Sequence, residues 1–166
     1  MSIKLFEHNK TAYEFVVAEL AETDKATTFH SAGTGKSFTG FQLCEYNLNK
    51  TFFRLYPSKY IFRMQLENLK KTVTEFLQNL KFFMYGKLSY ISDEKFSELL
   101  PDYIILDEFH RSGAEIWGSR VNTFSNIYRN TPILGLLATN ISYPNNKPDM
   151  AEKLVDENIA SEMTLG

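Results

Sequence analysis

Cysteine is almost absent from these 166 residues, where Cys44 stands alone. One thiol cannot close an internal disulfide, so a disulfide-stapled secreted domain is excluded, as is a multi-cysteine zinc site. Surplus positive charge is missing too. Lys and Arg number 18 against 20 Asp and Glu, for a net charge of -2. A protein that holds nucleic acid by bulk charge is usually far more basic, so any such contact must be local and set by geometry. There is no apolar run of the ~18 residues that a membrane-spanning helix needs. The segment Met1–His8 turns polar too soon for a signal peptide. A cytoplasmic setting is therefore expected. Internal repeats and low-complexity tracts are also lacking.

What remains has a globular balance, 43% hydrophobic and 23% charged, and the length suits one domain. Two periods alternate along it. Ala12, Phe15, Val16, Glu19 and Leu20 have helical spacing within Leu5–Ala21. A short Thr-rich strand follows at 26–29, then a helix from Ser37 to Tyr46. The pattern predicts strands at 52–56, 81–85, 103–106 and 133–138, and helices at 60–80 (whole or broken in the middle), 92–100 and 114–128. Ser92 is the expected cap of its helix. The strands at 103–106 and 133–138 lack polar alternation, as when both faces are covered. These features predict an α/β fold with a mostly parallel sheet of five or more strands and helices on both faces. In such sheets ligands bind where strands end. Residues 142–149 read as a loop, and 150–159 as a short acidic amphipathic helix.

His30-Ser31-Ala32-Gly33-Thr34-Gly35-Lys36-Ser37 joins a predicted strand to a predicted helix. Gly33 and Gly35 permit backbone angles that let amide N–H groups converge on a phosphate, with Thr34 between them. Lys36 supplies a cation for the terminal phosphates and Ser37 a hydroxyl for Mg²⁺. His30 stands where the common P-loop pattern has its first glycine, and a structural role shaping the loop is expected of it. The second site is Ile104-Ile105-Leu106-Asp107-Glu108-Phe109-His110, an apolar strand ending in adjacent carboxylates. Asp107 is the candidate for the Mg²⁺ side. Glu108 is the candidate base that polarises an attacking water. His110 is expected to relay between the nucleotide and neighbouring loops.

Together these residues resemble the first RecA-like domain of the superfamily 2 helicases and translocases. Gly33–Ser37 is similar to motif I, Asp107–His110 to motif II in its D-E-x-H form, and Leu137–Asn140 to motif III. The His-Ser lead-in resembles type I restriction motors. The text from Pro101 to Gly166 resembles DEAD/DEAH-box proteins grouped with type III restriction motors. The resemblance implies a three-layer RecA-like P-loop NTPase fold, ATP and Mg²⁺ as ligands, and a nucleic-acid partner, DNA before RNA. It implies a RecA-like domain over 1–145, followed by a linker and short helix over 146–166.

Further roles follow from the same likeness. Asn9 matches a family Gln that reads adenine, although helix capping also explains an Asn there, and Phe6 is the candidate ring to stack on the base. Tyr56-Pro57-Ser58-Lys59 is similar to motif Ia and Met84-Tyr85-Gly86-Lys87 to motif Ib. Ser58, Lys59, Tyr85 and Lys87 are thus candidates for backbone contacts that position a strand without reading its sequence. Lys59 and Lys87 read equally as solvated charges. Thr139 is expected to couple nucleotide state to the strand-binding loops. Trp117, Phe15, Phe53 and Phe82 read as packing, and Cys44 as a small buried hydrophobe.

The resemblance also implies something beyond the chain. Family members need a second RecA-like domain that supplies arginine fingers, and Arg111, Arg120 and Arg129 are not assumed to replace it. A piece of a longer protein is expected, with weak or absent ATP hydrolysis by itself. The leading reading is the ATP-binding half of a DNA-dependent motor of restriction or defence type. A non-catalytic nucleotide-sensing module and a small-molecule P-loop kinase are the alternatives.

Overall fold

A computed structural model describes residues 3–30, 34–72, 77–108, 123, 126–137 and 159–163. Helix α1 spans Glu7–Thr23 and buries Ala12, Val16 and Leu20, one apolar stripe at i, i+4 and i+8. It stops at Asp24, whose left-handed backbone (φ 61°) lets its N–H bond the Leu20 carbonyl. Strand β1 (Lys25–His30) and helix α2 (Lys36–Tyr46) follow. Strand β2 (Phe52–Tyr56) is buried at all five positions. Helix α3 (Lys59–Thr72) starts on Ser58, whose Oγ accepts from the Ile61 N–H at 3.3 Å.

The helix expected over 60–80 is thus shorter, and β3 begins at Leu80. Asn79 explains the difference. Its carbonyl accepts from the Phe52 N–H (2.8 Å), and its Nδ2 lies 3.1 Å from the carbonyls of Cys44, Asn47 and Lys50. These long-range bonds hold the turn before β3 against the local helical pattern. β3 (Leu80–Met84) runs into a 3₁₀ turn at Tyr85–Tyr90, which periodicity did not predict. Helix α4 (Asp93–Glu98) is capped by Ser92, whose side chain accepts from the Lys95 N–H as expected. β4 (Tyr103–Asp107) and β5 (Ile133–Leu137) complete the predicted strands.

A sixth strand, β6 (Ile159–Met163), pairs parallel with β1. This corrects the linker and short helix expected over 146–166 at those residues. The open edge of β1 needs hydrogen-bond partners, and the weakly patterned segment Ile159–Met163 supplies them. The other residues of 142–158 lie outside the described residues, as does most of the helix expected at 114–128.

The six strands form one parallel sheet in the order β3-β2-β4-β5-β1-β6. Side chains alternate between two cores. Phe53, Leu55, Ile104, Leu106, Ile133 and Leu137 face one, with Phe96 of α4 and Tyr128. Phe52, Ile105, Leu134 and Leu136 face the other, with Val16 and Leu20 of α1, Phe41 of α2 and Leu69 of α3. Burying each such side chain contributes roughly 1.5–3 kcal/mol. The result is the three-layer α/β arrangement expected. Among the described residues no helix is long and apolar enough to cross a membrane.

Candidate functional site

The site forms at the carboxyl edge of β1 and β4, with β5 between them. Two strand spacings separate the pair by about 10 Å. Beyond β1, α2 begins at Lys36, with Gly35 at its N-cap in the left-handed region (φ 79°). A Cβ there would also lie 2.8 Å from Asn9 Nδ2 and 3.2 Å from the Phe6 ring. Gly35 is therefore required twice, by its dihedral and by the close approach of α1. Asn9 Nδ2 donates to the Thr34 carbonyl at 2.7 Å, and His8 Nε2 meets the same oxygen at 2.8 Å. A carbonyl only accepts, so His8 carries its proton on Nε2. Gly33 lies outside the described residues.

Asn9 does not cap α1, because the N-cap is Phe6 and no side chain bonds there. Capping is thus excluded as the reason for this Asn. Its Oδ1 is buried and has no hydrogen-bond partner among the described residues. Phe6 is 64% exposed and stacks on His8, with ring centroids 5.6 Å apart and planes 23° apart. His30 is buried, 6.5 Å from the His8 ring. Burial lowers its pKa, and the neighbouring His8 and Lys36 add to the effect.

Lys36 and Glu108 form an ion pair in which both side chains are nearly buried. Glu108 adopts the left-handed region (φ 49°), uncommon for a side-chain-bearing residue, while its N–H still bonds the Leu136 carbonyl at 2.8 Å. Such backbone strain persists only where the surroundings over-determine it. It parts two adjacent carboxylates, so that Glu108 meets Lys36 while Asp107 meets another set of groups.

Asp107 is 0% exposed. Its Oδ2 accepts from Arg54 Nη2 (2.8 Å), Arg54 Nε (3.2 Å) and Gln65 Nε2 (2.6 Å). Its Oδ1 is buried and has no hydrogen-bond partner among the described residues. Arg54, also 0% exposed, donates through Nη1 to the Ser37 carbonyl at 3.1 Å and lies 4.3 Å over the Phe41 ring. A Cβ on Gly40 would come within 2.9 Å of Arg54 Nη1. Arg54, His8 and Gly40 belong to none of the motifs in the sequence, yet they shape the site. One signal was present: a charge in the middle of Phe52-Phe53-Arg54-Leu55-Tyr56, an apolar strand, must be paired. The partner followed from register. Arg54 stands opposite Ile105, which puts Asp107 two residues along on the same face.

Two expectations are corrected. Tyr85 is 1% exposed, and its hydroxyl donates to the Asp107 carbonyl at 3.0 Å. It packs in the core and cannot touch a nucleic-acid backbone. Phe15, read as packing, is 57% exposed. Lys59 and Lys87 are exposed, after the adjacent strands β2 and β3, and Lys87 Nζ lies 5.4 Å from the Tyr90 ring centroid. His110 and Thr139 lie outside the described residues.

Among the described residues no three His, Cys, Asp or Glu side chains converge. That excludes a protein-only cage there, but not Mg²⁺, which usually takes one or two carboxylates and completes its shell with phosphates and water. The bare Asp107 Oδ1 fits that requirement.

The fold is RecA-like, as in the helicase domains to which the chain is similar. No family model matches the chain, and no curated protein matches it. Solved structures do. The chain is similar to LlaBIII, an ATP-dependent type ISP restriction-modification enzyme bound to DNA (TM-score 0.66, 20% identity, 96% of this chain and 15% of that one). It is similar to the Hef helicase domain of Pyrococcus furiosus (0.67, 16% identity, 91% and 37%) and to the DEAH/RHA helicase HrpB of Escherichia coli (0.73, 14% identity, 95% and 22%). It thus spans between 15% and 37% of the length of these chains.

Proposed function

We propose that this domain is the ATP-binding half of a nucleic-acid-dependent ATPase, a helicase or translocase of restriction or defence type. Joined to a second RecA-like domain, it couples ATP hydrolysis to movement on DNA. One observation carries the reading: at the carboxyl edge of one parallel sheet Lys36 pairs with Glu108, and the adjacent Asp107 keeps an Oδ1 that has no hydrogen-bond partner among the described residues.

In this reading Gly33, Thr34, Gly35 and Lys36 receive the phosphates at the start of α2, where the helix dipole also favours an anion. Ser37 and Asp107 hold Mg²⁺, which when bound neutralises charge on the triphosphate. Glu108 accepts a proton from the attacking water once Lys36 turns to the phosphates. Asn9 gives one of its two amide N–H groups to the Thr34 carbonyl, and its buried Oδ1 accepts from the adenine amino group. The exposed Phe6 ring stacks on the base. Ser58, Lys59 and Lys87 contact the nucleic-acid backbone, and His110 and Thr139 couple the two sites. The DNA-bound state of LlaBIII supports DNA as the strand. An arginine finger from the second domain contributes about 10³–10⁵ in related reactions, so the isolated chain hydrolyses ATP weakly or not at all.

The test is ATP hydrolysis by the chain joined to a second RecA-like domain, with and without DNA. DNA should raise the rate, and Glu108→Gln should abolish it. A rate indifferent to every nucleic acid would overturn the motor reading in favour of nucleotide sensing.

A further inference from the structure

Arg54 sits in the middle of a strand buried at every position. A buried cation costs several kcal/mol unless its partners are well placed. Here the surroundings are shaped to admit it. Gly40 leaves the space that a methyl would close, and the Phe41 ring lies beneath the guanidinium. An arginine facing a carboxylate commonly bonds both oxygens with two parallel N–H groups. Arg54 does not. Nε and Nη2 converge on Asp107 Oδ2, and Gln65 Nε2 adds a third donor to the same atom. Among the described residues nothing bonds Oδ1, although it is fully buried. A buried acceptor with no partner is costly, and three donors on its neighbour make the asymmetry systematic. The remaining arm of the fork, Nη1, holds the Ser37 carbonyl. One side chain therefore braces the tip of β4 and the first turn of α2, the two elements that carry Asp107 and Ser37.

We infer that Arg54, assisted by Gln65, is a positioning residue that presents Asp107 Oδ1 to Mg²⁺ and sets the site's affinity for the metal. The inference rests on the nucleotide-site reading above and extends it to a residue which does not itself touch the ligand. Lysine cannot replace it, because one ammonium lacks the planar fork that reaches Oδ2 and the Ser37 carbonyl together.

The test titrates Mg²⁺ into the 166-residue chain with a fluorescent ATP analogue, comparing wild type, Arg54→Lys and Gln65→Met. Thermal melting reports folding. Groups that orient a metal ligand typically change metal affinity 10–100-fold. Arg54→Lys should raise the half-saturating Mg²⁺ concentration about tenfold, and Gln65→Met about threefold, the smaller effect of losing one donor of three. Analogue binding in EDTA should stay within about twofold of wild type for both. A purely structural ion pair would lower the melting temperature and leave the Mg²⁺ dependence of the folded protein unchanged, which would overturn the inference alone. If Arg54→Lys does not fold, Gln65→Met decides, because it leaves the ion pair intact. No analogue binding by wild type, or binding indifferent to Mg²⁺, would instead remove the nucleotide-site reading beneath it.

Discussion

Lys36 and Glu108 are paired, with 10% and 12% of their side chains exposed. The cation expected at the phosphates and the carboxylate expected at the water neutralise each other. In the proposed site a nucleotide draws Lys36 from Glu108 and releases the carboxylate from the lysine. Removing the charge at 108 removes the competitor. Glu108→Gln should bind an ATP analogue with Mg²⁺ about tenfold more tightly than wild type, equivalent to ~1.4 kcal/mol. Weaker binding in an equilibrium titration would mean that the pair supports the nucleotide site rather than competing with it.

Gly40→Ala tests the packing behind the site. The added methyl meets Arg54 Nη1 at 2.9 Å, and the guanidinium cannot retreat without leaving Asp107 or the Ser37 carbonyl. Overpacking of this kind costs about 1–3 kcal/mol. For a domain of this size each kcal/mol lowers the melting temperature by roughly 2–4 °C. An unchanged or raised melting temperature would mean that the helix shifts freely.

Phe6 offers a cleaner separation of binding from folding. Its ring is 64% exposed, so truncation removes little core. Stacking of a base on an aromatic ring is worth about 1–3 kcal/mol. Phe6→Ala should weaken ATP binding roughly 5- to 150-fold by that measure, with the melting temperature unmoved. Equal ATP affinity in the two proteins would remove Phe6 from the site.

Stability should fall as the solution is acidified through the histidine range. Burial, then His8 and Lys36, lower the pKa of His30. Its folded pKa lies below the unfolded value of about 6.5. Between the two values the unfolded chain binds more protons, so stability rises with pH there. The contribution is complete above the unfolded pKa and is lost as pH falls toward the folded one. Denaturant unfolding from pH 5 to 8 should show this slope, reduced in His30→Asn. An identical slope in both proteins would assign it to other groups.

Local pattern was enough for the parts of the site that are local. Lys36 follows a glycine at the start of a helix, and Asp107 and Glu108 end an apolar strand, so their placement was readable from neighbours in sequence. The Ser92 cap was legible for the same reason. Arg54 and Gln65 were harder, because their meaning lies in a partner 53 and 42 residues away. The β2–β4 register brings Arg54 to Asp107, and α3 carries Gln65 to the same carboxylate. The likeness of Met84–Lys87 to motif Ib points Tyr85 at a nucleic-acid backbone, whereas its hydroxyl serves a buried carbonyl. The helix over 60–80 was overdrawn because Asn79 bonds residues remote in sequence. β6 was missed because pairing with β1, rather than any strong pattern of its own, makes it a strand.

Equilibrium binding of ATP to the chain, with and without Mg²⁺, tests most directly whether Lys36, Asp107 and Glu108 compose one nucleotide site. Wild type should bind, Mg²⁺ should strengthen the binding, and Lys36→Ala should weaken it at least tenfold, ~1.4 kcal/mol. Equal affinity of wild type and Lys36→Ala, or no binding at millimolar ATP, would contradict the account.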